Sequence, residues 1–227
     1  MLRGQLQCPA VSQTRERIGK AQLRKLAVLQ FHLFIASRQA PGQALRRDGA
    51  RAGDLVWVSG RPGLAGLGLA QLQGRIELPA PWPRLCIEAL EKPRPRVALG
   101  LALLGIASAA IDVSDGLLAD LGHIGERSGL AASVQLVQLP HLPKGETYDA
   151  DLRRLALECQ LAGGDDYELC FTTAPAQANA VSAIAARLDL PLWCIGSMRD
   201  GHAGEVTVLD PDGNPIEFSR RGYDHFG

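Results

Sequence analysis

No stretch of this chain approaches the ~18–20 consecutive apolar residues that a membrane span requires. The nearest candidate, residues 26–36, is interrupted by Gln30 and His32. It follows a charged lead too long for a secretory signal. The five cysteines (Cys8, Cys86, Cys159, Cys170 and Cys194) form no CxxC and no Cys/His spacing. That excludes a zinc site of the usual pattern and a disulfide framework, and points to a reducing, cytoplasmic setting. Cys170 and Cys194 sit in apolar runs and read as small core residues. Net charge is also missing: 24 Lys and Arg stand against 24 Asp and Glu. The chain therefore offers no electrostatic ground for a nucleic-acid or membrane partner. There is no GxGxxG fingerprint, no internal repeat and no low-complexity tract.

The neutrality hides an asymmetry. Before Asp54 there are ten Lys and Arg against two acids, so the rest of the chain is distinctly acidic. At 227 residues the length suits one large domain or two small ones. Residues 1–40 are basic and carry one helical pattern. After residue 41 the texture becomes short apolar runs punctuated by Gly, Pro and Asp. Residues 54–59 read as a strand ended by Gly60-Arg61-Pro62-Gly63, and residues 64–72 as a glycine-rich helix. The proline-rich residues 79–95 read as a loop and residues 97–106 as a helix. Strands are expected at 132–139, 168–172 and 191–195, and helices at 117–124, 149–159 and 177–188. Residues 204–209 and 216–218 flank Asp210-Pro211-Asp212-Gly213-Asn214-Pro215, a hairpin signal. The pattern favours an α+β fold, with a mixed or antiparallel sheet and helices on one face.

Two acidic constellations carry the chemistry. The first is Ile111-Asp112-Val113-Ser114-Asp115-Gly116-Leu117, where the apolar residues 106–111 stop at two carboxylates. Leu117, Leu118, Leu121 and Ile124 then recur at helical spacing. Ser114 or Asp115 can cap that helix, and Asp112 and Asp115 can converge in front of it. Such a pair either caps the helix or holds a hard cation such as Mg²⁺ together with phosphates and waters. The second is Leu161-Ala162-Gly163-Gly164-Asp165-Asp166-Tyr167-Glu168-Leu169, three acids behind paired glycines. Paired glycines permit positive φ and close approach of a ligand. The acids there can position a cationic ring or a hydroxyl, or reach a metal; the plain alternative is an exposed turn before a strand. A third motif, Gly222-Tyr223-Asp224-His225-Phe226, sets aromatics beside an acid and an imidazole.

In this order the three motifs resemble the thiamine-monophosphate kinase family, part of the superfamily that includes aminoimidazole ribonucleotide synthetase and selenophosphate synthetase. Residues 42–54 and Lys92-Pro93-Arg94-Pro95-Arg96 add to the resemblance, which runs from about residue 41 to 226. It implies the fold of the superfamily's C-terminal domain and ATP-dependent phosphorylation of thiamine monophosphate to thiamine diphosphate, with Mg²⁺. By position it implies that Asp112 and Asp115 are Mg²⁺ ligands and that Ser114 and Arg47 contact ATP. Asp165 would meet the thiamine moiety and Tyr223 would lie against the substrate's rings. The acceptor is a phosphate oxyanion, so no general base is required; the task is to bring two polyanions together.

Members of that family carry a further N-terminal domain with metal-binding Gly-Asp-Asp and Gly-Gly-Asp-Thr motifs, and form homodimers through it. The residues ahead of Arg47 hold neither motif, and Leu64 stands where relatives often have an acid. The expected organisation is thus an atypical segment at 1–40, a remnant of the N-terminal domain at 41–60, and a C-terminal α+β domain at 61–227. This corresponds to a truncated form, for which a dimer is not expected. Two other readings stay open: a non-catalytic fragment or binding module, and another ATP-dependent activity of the superfamily such as a ring-closing ligase.

Overall fold

The structure is a computed structural model and describes residues 44–142 and 150–217. Seven strands form one sheet in the order β2-β4-β1-β5-β3-β6-β7. They are β1 (Leu55–Ser59), β2 (Ala109–Val113), β3 (Ala131–Gln135), β4 (Glu168–Thr173), β5 (Leu192–Arg199), β6 (Val206–Leu209) and β7 (Pro215–Ile216). Pairing is antiparallel except for β3 with β6, which is parallel. Among the described residues the α-helices are α1 (Leu64–Leu72), α2 (Trp82–Glu91), α3 (Val97–Ala102), α4 (Leu117–Ser128), α5 (Ala150–Ala162) and α6 (Ala178–Leu188).

Strand β1 shows how the two layers are sorted. Successive side chains of a strand point to opposite faces. Val56 and Val58 therefore join one core cluster with Ile111, Val113, Cys170 and Leu161, under α4. Trp57 joins the other with Ala110, Phe171, Leu99, Val181 and Ile184, under α3 and α6. Trp57 stacks on its cross-strand partner Phe171, the ring centroids 6.3 Å apart. The Trp57 indole N–H donates to Thr173 Oγ1, so the buried ring leaves no stranded donor. The α+β class and the mixed sheet agree with the sequence reading. Helices cover both faces of the sheet, however, because both alternating sets of β1, β2 and β4 are apolar.

Residues 55–59, expected as a remnant of a preceding domain, form a central strand between β4 and β5 and are built into this domain. Residues 82–91, expected as loop, are helical. Pro83 falls in the first turn, where its missing N–H costs nothing, and Pro93 lies beyond the end. The helix expected at 97–106 stops at Ala102, and Gly105 at φ 75° turns the chain away. Helix α4 is anchored firmly in the core. Leu117, Leu121 and Ile124 are fully buried, each worth roughly 1.5–3 kcal/mol by burial alone. Among the described residues no helix is long and apolar enough to cross a membrane.

Candidate functional site

Strand β2 delivers Asp112 and Val113 to the edge of the core, and the chain then turns through Ser114, Asp115 and Gly116 into α4. The N-cap is Gly116, at φ 124°, and it makes no side-chain capping bond. The expectation that Ser114 or Asp115 occupies the cap position is therefore corrected. A glycine is required because a Cβ would press on the Ala162 backbone at 3.0 Å and because φ is positive.

The turn is held instead from inside the helix. Asp120, 2% exposed, accepts the backbone N–H of Ser114 at 2.9 Å and of Asp115 at 3.0 Å, both on Oδ2. Burial pushes its carboxyl up to about 6 against the pull of those two amides, and the nearby Asp115 and Asp112 charges add to the rise. Sequence reasoning passed over Asp120. The signal was its place three residues after Leu117, on the same apolar stripe as Leu121 and Ile124.

The glycine-acid loop is pinned directly to this turn. Asp165 N–H donates to the Ser114 carbonyl and Tyr167 N–H to the Val113 carbonyl, both at 2.9 Å. Gly164 permits the contact, since a Cβ there would lie 2.4 Å from the Ser114 oxygen. Gly163 does the same against the end of α5, where a Cβ would lie 2.3 Å from the Cys159 oxygen. The paired glycines thus serve close approach. Positive φ falls on their neighbours, Asp165 at 73° and Tyr167 at 52°. Such non-glycine conformations cost of order 1–3 kcal/mol and persist where surrounding structure fixes them. Tyr167 is 4% exposed. Burial pushes its hydroxyl up to about 12, helped by the charges of Asp165, Asp112 and Asp115. The Asp165 and Tyr167 backbone bonds thus join the two motifs side by side.

The other two acids of the loop are committed to structure. Asp166 accepts the N–H groups of Gly63 (2.6 Å) and Ala65 (3.2 Å), capping α1 from a distance. Burial nevertheless holds its carboxyl above the usual range. Glu168 is buried and accepts Ser59 Oγ at 2.5 Å and Arg96 through Nε at 2.7 Å and Nη2 at 2.5 Å. The two-pronged ion pair ties the start of α3 to β4, and the Ser59 hydroxyl ties the end of β1 to the same carboxylate.

Of the residues singled out from the sequence, Asp112, Ser114, Asp115 and Asp165 are brought together, all half-buried. Arg47 is not. It is exposed, and its carbonyl accepts Ser128 Oγ at the opposite end of α4. A 12-residue helix puts those ends about 18 Å apart. Tyr223 lies outside the described residues. The donor set at the turn suits a hard cation by type, since carboxylate oxygens are the ligands Mg²⁺ takes. Among the described residues, no group of three His, Cys, Asp or Glu side chains is gathered closely enough to hold an ion. The two aspartates can thus supply only part of a coordination shell. Two clefts, of about 660 and 310 Å³, take in neither Asp112 nor Asp115.

This architecture, with an acidic turn and a glycine-acid loop meeting at the end of a mixed sheet, matches a known family. Residues 51–209 fit the family model described as AIR synthase related protein, C-terminal domain, and the chain belongs to that family. It is similar to the thiamine-monophosphate kinase of Salmonella typhimurium, 42% identical over 190 residues, and to that of Escherichia coli strain K12, 40% identical over 190 residues. Each alignment covers 82% of this chain and 56% of the relative, so the chain spans just over half the length of these curated relatives. Among solved structures it is similar to thiamine-monophosphate kinase from Stenotrophomonas maltophilia K279a. There the TM-score is 0.67 and the identity 46%, covering 78% of this chain and 56% of that one. A structure of AaThiL complexed with AMPPCP and TMP matches with a TM-score of 0.61 and 31% identity, covering 80% of this chain and 54% of that one. The resemblance drawn from the three motifs is thereby borne out over most of the chain.

Proposed function

We propose that this chain carries the C-terminal half of a thiamine-monophosphate kinase, which transfers the terminal phosphoryl group of ATP to thiamine monophosphate. The observation that carries the reading is the junction of the two motifs, through the Asp165–Ser114 and Tyr167–Val113 backbone bonds. It joins the two acidic motifs, in a chain whose relatives bear that name, and supports reading Asp112, Asp115 and Asp165 as parts of one site. The complex of AaThiL with AMPPCP and TMP supports the choice of ATP and thiamine monophosphate as substrates.

In the proposed reaction a phosphate oxygen of thiamine monophosphate attacks the terminal phosphorus of ATP. The bond from that phosphorus to the bridging oxygen breaks, and ADP leaves with the electron pair. The attacking oxygen is already deprotonated, so no side chain has to act as a base. Mg²⁺, when bound, neutralises charge on the phosphates. Asp112 and Asp115 would supply carboxylate oxygens to hold it. The Ser114 hydroxyl faces the nucleotide. Asp165 offers its charge to the cationic thiazolium, and Tyr223 is assigned to the substrate's rings. Arg47, at the far end of α4, is given no part in holding the transferred group. The four described cysteines are free thiols, in keeping with a cytoplasmic site of action.

The shortage of carboxylates favours a second reading, a module that binds thiamine phosphate without turning it over. Release of ADP from ATP, Mg²⁺ and thiamine monophosphate separates the two. The chain is assayed alone and together with the N-terminal half of the Stenotrophomonas maltophilia kinase. Release that depends on thiamine monophosphate in either sample supports the kinase. Silence in both, with thiamine monophosphate still bound in a calorimeter, establishes the module. Silence without binding removes both readings.

A further inference from the structure

The turn that carries Asp112 and Asp115 is not fixed by its N-cap residue, because Gly116 offers no side chain. The fixing group is Asp120, and its geometry is specific. A single oxygen, Oδ2, accepts the N–H groups of Ser114 and Asp115, at 2.9 and 3.0 Å. Those two N–H groups belong to the peptide planes on either side of Ser114. Holding both fixes the directions in which the Ser114 hydroxyl and the Asp115 carboxylate leave the chain. Asp120 itself is 2% exposed and lies beneath the turn, on the apolar stripe of α4 between Leu117 and Leu121. It points into backbone, with its bonding oxygen occupied, and so acts from behind the site.

We propose that Asp120 is the positioning residue of the cation site: by bonding both amides of the turn, it presents Asp115 beside Asp112 for a divalent ion. The inference rests on the reading of Asp112 and Asp115 as ligands. A group standing behind the ligands of a metal site commonly governs affinity about 10–100-fold through their orientation alone.

The distinguishing variant is Asp120→Asn. Its amide oxygen can take the place of Oδ2 and accept both N–H groups, while the charge is lost. Asp120→Ala removes the acceptor altogether. The experiment is a Mn²⁺ titration of the full chain, followed by water-proton relaxation, which reads weak affinities directly. The variants are Asp112→Asn, Asp120→Asn and Asp120→Ala. Asp120→Ser, too short to span the turn, replaces the last if it does not fold. The expected result is a loss of about tenfold or more in Asp112→Asn and Asp120→Ala, with Asp120→Asn within about fivefold of the parent. Rescue by asparagine separates orientation from charge and from direct ligation. If Asp120→Asn folds and binds as weakly as the alanine variant, Asp120 acts by charge or as a ligand and the proposal is overturned. If Asp112→Asn weakens binding and Asp120→Ala does not, positioning alone is overturned. If Asp112→Asn binds Mn²⁺ as well as the parent, the cation site itself falls and the positioning role with it.

Discussion

Replacing Gly164 with alanine tests how the two acidic motifs are joined. Gly164 has no positive φ, so the new side chain meets no conformational penalty of its own. What it meets is the Ser114 carbonyl oxygen, 2.4 Å from the added carbon, where ordinary contact begins at 3.4 Å. The loop and the turn must separate by about 1 Å. The obstructing atom is main chain, and no change of rotamer moves it aside. The same oxygen accepts the Asp165 N–H at 2.9 Å, and an added ångström takes that pair beyond hydrogen-bonding range. Losing a partly buried backbone bond costs about 1–3 kcal/mol and overpacking adds about 1–3 kcal/mol. The stiffer unfolded chain of an alanine variant returns about 0.4–1 kcal/mol. The net expectation is a loss of about 2–4 kcal/mol in urea unfolding followed by circular dichroism, with an unchanged m-value. Gly100→Ala is the control. It sits inside α3, with only Leu169 Cδ1 at 4.0 Å, and it should gain about 0.5–1 kcal/mol. A Gly164→Ala variant as stable as the parent would refute the account of the junction.

Three further outcomes are expected. Asp165→Gly relieves a residue held at φ 73° and should keep stability within about 1 kcal/mol of the parent. Calorimetric binding of thiamine monophosphate should fall at least tenfold, by about 1.4 kcal/mol; undiminished binding would remove Asp165 from the site. Cys86, Cys159 and Cys170 are buried, and burial holds all three thiols well above the ordinary range. Peptide mapping after iodoacetamide treatment of the native chain should find them unmodified, and modified once the chain is unfolded; ready labelling of any of them before unfolding contradicts the packing. Asp210 accepts the N–H groups of Asp212 (2.9 Å) and Asn214 (2.8 Å), and those bonds hold its carboxyl below the usual value. A depressed acid contributes stability that is present above its unfolded pKa and lost as pH falls through the folded one. Amide exchange at residues 212 and 214 should accordingly accelerate as pH falls below the ordinary aspartate range, after correction for intrinsic rates. A flat profile would show that the carboxylate does not hold the hairpin.

Elements whose signals are local were readable from the residues. Strand β1 ends at its Gly-Arg-Pro-Gly turn, α4 follows its leucine stripe, and the β6–β7 hairpin follows its Asp, Gly and Asn residues. Elements whose defining residue answers a distant contact were not. Gly196 reads as the end of a strand, yet β5 runs on to Arg199, because a Cβ at Gly196 would lie 1.8 Å from the Ser133 oxygen of β3. The prolines around α2 read as loop because their positions in the first turn and beyond the end depend on a boundary the pattern does not mark. Strand order is likewise a long-range property. That β1 lies between β4 and β5 comes from pairings more than a hundred residues apart.

The candidate site obeys the same division, and it changes what the acids mean. The two motifs and the helix behind the first contain six carboxylates, five of them in the two acidic constellations and the sixth at Asp120. Three of them are structural. Asp120 holds the turn, Asp166 caps α1, and Glu168 grips Arg96 and Ser59. Each is bonded to groups that the fold would otherwise leave stranded, and for Asp120 and Glu168 that is the condition under which a buried carboxylate is tolerated. Asp112, Asp115 and Asp165 are half-buried, and they are the ones proposed to meet ligands. Six ionised carboxylates at one point would repel each other severely, and bonding three of them to amides, a hydroxyl and a guanidinium lowers that cost. The spacing of acids along the sequence therefore does not separate the carboxylates that hold the fold from those proposed as ligands. That division is made by bonds to the Ser114, Asp115, Gly63 and Ala65 amides, the Ser59 hydroxyl and Arg96, which no spacing of acids records.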